Sequence, residues 1–137
     1  MEKTEKRKYK IAVIEDEEIM SKPLVGELED AGFEVVTASD GEAGLALVLK
    51  ESPDLVLLDI VMPKMDGMTM LMKLRESGGI NKHVPVILLT NLNADDKIMR
   101  GIVLDQPSYY LVKSNYTVAE VVERAKQSLK EALPPQQ

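Results

Sequence analysis

The 137-residue chain fits one domain, and at that length folding buries roughly two-thirds of the unfolded chain's surface, enough for a core without staples. It contains no cysteine, which excludes a disulfide framework, a thiolate metal site and a cysteine nucleophile and suits a reducing cytoplasm. The formal charge of -6 argues against nucleic acid binding by the surface at large, and no apolar stretch approaches the ~18 residues of a membrane helix, so neither nucleic acid nor a membrane is an expected direct partner.

Five of the first ten residues are basic, and residues 1–8 read as a solvated arm before the first strand. That strand, Ile11-Ala12-Val13-Ile14, ends at Glu15-Asp16. Leu24, Leu28 and Ala31 then recur at helical spacing, and Gly32 is placed to take the left-handed conformation that closes a helix. Because proline is tolerated only in a helix's opening turn, Pro23 predicts a late start, near Ser21. A second strand follows at 33–37. Ser39 and Glu42 have capping-box spacing ahead of Leu45, Val48 and Leu49, and Pro53 stops that helix.

The third strand, Leu55-Val56-Leu57-Leu58, ends at Asp59 and opens into the loop Ile60 to Gly67. Met68, Leu71 and Met72 form the inward stripe of a third helix, which Gly78-Gly79 terminates. Pro85 opens a fourth strand that ends at Thr90. A fourth helix starts at Asn93 with Ile98 and Ile102 on its buried side, and a fifth strand, about 109–112, ends at Lys113. Thr117 and Glu120 repeat the capping-box pattern before Val118, Val121, Val122, Ala125 and Leu129, and residues 132–137 form a tail.

Short continuous apolar runs alternating with helical segments are the pattern of strands buried on both faces. The chain is therefore α/β, a doubly wound, flavodoxin-like parallel sheet of five strands and five helices. Right-handed crossovers favour the strand order 2-1-3-4-5, whose switch point lies between strands one and three. That order gathers Glu15, Asp16 and Asp59 and puts Thr90 and Lys113 on the adjoining strands. Clustered carboxylates repel unless a cation shares the site, and an oxygen-only ligand set selects a hard cation such as Mg²⁺. A carboxylate can also attack phosphorus once the phosphoryl charge is neutralised.

Glu15-Asp16, Asp59 with Pro63 and Asp66-Gly67, Thr90 and Lys113 together resemble the receiver domains of two-component response regulators, over about residues 9–131. The resemblance implies that Asp16 binds Mg²⁺ directly, Glu15 helps through water, and Val61 contributes its backbone carbonyl. It implies that Asp59 takes a phosphoryl group from a sensor histidine kinase or phosphotransfer protein, with Thr90 and Lys113 on the phosphoryl oxygens. Thr90 and Tyr110 would then switch, remodelling the face made by the fourth helix, fifth strand and fifth helix for a downstream protein target or a homodimer. Such a protein catalyses only its own phosphorylation and dephosphorylation, and the chain is read as a cytoplasmic, single-domain receiver.

Two departures bear on this. Ser114 follows Lys113 where the family has proline with a cis bond, and since a cis bond before serine costs about 2.5 to 4 kcal/mol, either a trans linkage or a packed cis bond is expected. Val61 and Leu92 are apolar where the family tunes self-hydrolysis, which predicts slow loss of the phosphoryl group. A phosphohydrolase would need an acid at Val61, and a flavin carrier would need hydroxyls where Glu15 and Asp16 stand. A receiver acting as an unphosphorylated interaction module is the remaining alternative. The methionines after Asp59 read as core filling, and His83 as a surface residue.

Overall fold

The computed structural model describes residues 8–60, 62–77, 79, 83–90, 109–112 and 116–132. In chain order these form β1 (Lys10–Ile14), α1 (Glu18–Asp30), β2 (Glu34–Ala38), α2 (Gly41–Glu51), β3 (Leu55–Asp59), α3 (Gly67–Glu76), β4 (Val86–Thr90), β5 (Tyr109–Val112) and α4 (Val118–Ala132). The helix expected to start at Asn93 lies outside the described residues, so α4 is the C-terminal helix. The strands form one parallel sheet in the order β2-β1-β3-β4-β5, as the apolar alternation predicts.

Alternation along the strands divides the core into two layers, because successive side chains leave a strand on opposite faces. Ala12, Ile14, Val56, Leu58, Val86 and Leu88 pack with Val48 of α2 and Met70, Leu71 and Leu74 of α3. Ile11, Val13, Leu55, Leu57, Ile87 and Leu89 face the other way, onto Leu24 and Leu28 of α1 and Val121, Val122, Ala125 and Leu129 of α4. Burying one such side chain contributes about 1.5 to 3 kcal/mol. Every residue of β3 is buried, as a central strand requires, whereas the edge strand β2 exposes Glu34 and Thr37.

Several local expectations are corrected. Helix α1 starts at Glu18, not near Ser21, and the Ser21 amide already donates to the Glu17 carbonyl at 3.0 Å. Pro23 thus lies inside the helix, on its exposed face, and removes the donor for the carbonyl of Ile19. Ile19 is 87% exposed, so water can take that place. At the other end Gly32 has φ +98°, the left-handed conformation expected of it, but Ala31 is exposed.

In α2 the cap is Asp40 rather than Ser39; its carboxylate accepts from the Ala43 amide at 2.7 Å. Leu49 is exposed, and the buried positions are Gly41, Gly44 and Val48. In α3 Met72 is exposed, while Met70 and Leu74 are fully buried beside Leu71. The Thr117–Glu120 capping box forms reciprocally, the Thr117 amide donating to Glu120 Oε1 at 2.9 Å and the Glu120 amide to Thr117 Oγ1 at 3.1 Å.

Candidate phosphoacceptor site

The sheet register decides which strand ends meet. Ile14 pairs with Leu58, Leu58 with Leu88, and Leu88 with Tyr110, so one line crosses four strands just before their carboxyl ends. One residue further, Glu15 leaves β1 beside Asp59, the last residue of β3, which is paired with Leu89. Thr90 ends β4 opposite Val112 of β5. Carboxylates and a hydroxyl-bearing residue therefore arrive at one edge, at the switch point between β1 and β3.

Burial separates the acids into two kinds. Glu15 and Asp59 are only 7% and 6% exposed, whereas Asp16 and Glu17 stand in solvent. Glu15 is fixed from both sides: its amide donates to the Ala38 carbonyl at 3.0 Å, and its Oε2 accepts from the Glu17 amide at 3.3 Å. One carboxylate oxygen each from Glu15, Asp16 and Glu17 lies within 4.8 Å of the others, an oxygen-only group compatible with a hard cation. Asp59 stands outside that triplet. Glu17 was not among the ligands expected from the sequence; its adjacency to Asp16 was the available signal.

The acids also stand at the start of α1, whose first turn holds Glu18. The first-turn amides of a helix carry partial positive charge, which lowers the cost of gathering carboxylates there. Beyond them opens a groove of about 480 Å³, bounded by Asp16, Ser21, Lys22 and Gly26 on one side and Thr37 and Ser39 on the other.

The loop after Asp59 is held closely. The Gly67 amide donates to the Ile60 carbonyl at 2.7 Å, and Asp66 caps α3 by accepting from the Thr69 amide at 2.8 Å. A side chain at Gly67 would overlap the Asp59 carbonyl oxygen and lie 2.9 Å from the Ile60 Cα. Met62 and Met70 are buried and Met65 and Met68 pack against the same core, as core filling predicts, whereas Met72 is exposed and does not fill it. His83 is exposed. Tyr110 is placed in β5, next to Leu88 across the sheet. Val61, Leu92, Lys113 and the Lys113-Ser114 bond lie outside the described residues.

The family model of the response regulator receiver domain matches residues 11–130. A probable transcriptional regulator, ycf27 of Porphyra purpurea, is 35% identical over 128 residues, which cover 93% of this chain and 50% of that protein. The chain spans half the length, or less, of the curated relatives it matches. Among solved structures, a CheY-like response regulator receiver domain protein from Methanospirillum hungatei superposes with a TM-score of 0.83 at 24% identity, covering 92% of this chain and 97% of that one, a likeness of fold. The BeF3-activated N-terminal receiver domain of RstA from Klebsiella pneumoniae gives 0.76 at 30% identity, with 88% and 98% covered.

Proposed function

Because the chain belongs to the response regulator receiver family, we propose that it is a phosphorylation-dependent signalling switch in the cytoplasm with Asp59 as its phosphoacceptor. The observation that supports this most is the buried carboxylate of Asp59 at the end of the central strand, one strand away from the acids that leave β1.

A carboxylate oxygen of Asp59 attacks phosphorus in line. As the new P–O bond forms, the P–N bond to a donor histidine breaks and its electron pair returns to the imidazole ring. Repulsion between the incoming phosphoryl oxygens and the acids must be offset. Mg²⁺, held by Asp16 and Asp59 with Glu15 and the Val61 carbonyl assisting, would supply that neutralisation, and the oxygen-only set of Glu15, Asp16 and Glu17 is of the right chemical kind. The family resemblance assigns Thr90, which ends β4 at this edge, and Lys113, which follows Val112 in the sequence, to the phosphoryl oxygens.

The product adds about -1.5 to -2 charges and can form one to three charge-assisted hydrogen bonds, enough to bias a two-state equilibrium by a few kcal/mol. In our reading Thr90 and Tyr110 carry that bias to the face that includes β5 and α4. A kinase or phosphotransfer protein would be the donor, and a downstream protein or a second copy of the chain the reader. Ser114, in place of the family's proline, favours a second reading: an unphosphorylated interaction module.

Acetyl phosphate with Mg²⁺ separates the two. The native chain should gain the mass of one phosphoryl group and Asp59→Asn none; a native chain that gains nothing would leave the interaction module as the function.

A further inference from the structure

The first turn of α2 makes an approach to the Asp59 loop that no motif announces. A methyl group at Gly41 would overlap the carbonyl oxygen of Met65 and lie 2.7 Å from its carbonyl carbon. Such distances leave no room for any side chain, so the helix backbone itself is pressed on the loop backbone. Asp40, immediately before, caps the helix through Ala43 and also faces the Lys64 ammonium at 3.9 Å. Lys64 is held at φ +69°, the left-handed region that a lysine rarely adopts, and a neighbouring restraint is what keeps such a conformation populated. From its other end the loop is tied by the Gly67 amide on the Ile60 carbonyl.

We propose that Gly41 is a positioning residue for the phosphoacceptor: the first turn of α2 is the seat on which the loop after Asp59 rests, and through that loop it sets the geometry of the metal side of the site. This rests on the phosphoacceptor reading only for its metal consequence. The seat itself is a contact between α2 and the loop. Gly41 touches neither metal nor phosphoryl group; it acts through Met65.

Gly44 is the natural comparison, being on the same helix and the same buried face. A methyl group there would meet side chains, Ile14 Cγ2 at 2.6 Å and Met70 Sδ at 3.2 Å, rather than the loop backbone. Both substitutions to alanine favour helix propensity, so any loss in either is steric.

Hydrogen exchange of the Gly67 amide in ¹⁵N-labelled protein, with Mg²⁺ affinity by titration calorimetry, tests the seat. Gly41→Ala should speed Gly67 exchange about tenfold or more beyond its change in global stability, while Gly44→Ala should not. Loss of support for a metal ligand typically weakens affinity about ten- to a hundredfold, and Gly41→Ala should show that loss with Gly44→Ala near the native value. Gly67 exchange that tracks global stability equally in both variants would overturn the proposal. A native chain that binds no Mg²⁺ while Gly41→Ala still frees the Gly67 amide would refute the phosphoacceptor reading and leave the seat in place.

Discussion

Ser128 lies on the inner side of α4, 2% exposed, and its Oγ has no hydrogen-bond partner among the described residues. An unmade hydrogen bond of a buried polar group costs about 1 to 3 kcal/mol, so Ser128→Ala should stabilise the fold by about 1 kcal/mol, seen as a higher urea midpoint at unchanged slope. A lower midpoint would mean that the hydroxyl has a partner after all. Glycines carry the converse lesson. Gly41, Gly44 and Gly67 have no apolar side chain to enter a periodic pattern, yet each stands where another segment comes too close for a Cβ. Hydrophobic periodicity therefore chose Leu49 and Met72 for buried positions that glycine and Met70 occupy.

At the scale of elements, the far end of the sheet is tied by Lys10. Its Nζ donates to Glu51 Oε1 at 2.8 Å and faces Glu34 at 3.7 Å, linking β1 to the end of α2 and to β2, while its amide donates to Asp54 Oδ2 at 2.9 Å. The hydrogen bond from Lys10 holds the Glu51 carboxyl below its ordinary value of 4.5, and the same bond raises Lys10 above 10.5. A depressed carboxyl contributes stability that is full above its unfolded value and lost as pH falls through its folded one; the lysine's contribution is full below 10.5 and lost as pH rises through its folded value. Glu51→Gln should accordingly flatten the acid limb of stability against pH below about 4.5 while leaving its shape between pH 6 and 8 unchanged, as urea titrations would show. The helix starts divide in an instructive way. Thr117 and Glu120 satisfy each other within one turn, so their pattern could be read locally. At α2 both Ser39 and Asp40 are suitable caps, and the choice of Asp40 goes with Gly41 as the first helical residue, the one against Met65.

For the whole molecule, a metal that binds only the folded chain stabilises it by mass action, about 2.7 kcal/mol at a hundred times its dissociation constant. On the phosphoacceptor reading Mg²⁺ should raise the thermal midpoint of the native chain and have little effect on Asp16→Asn, measured at constant ionic strength; an equal rise in both would remove Asp16 from the ligand set. The order of the strands and of the described helices, the two faces of the sheet and the arrival of Glu15, Asp16, Asp59 and Thr90 at one edge were readable from the chain, because apolar runs, helical spacing and the short connections between them are local properties. Which of those acids is buried, which cap is used and which glycine bears on the loop were decided only by tertiary contact. Glu15 is shielded by bonding to Ala38 on another strand, and Gly41 is constrained by Met65, in a different loop. Residues far apart in the chain create these restraints, and no pattern within either segment contains them.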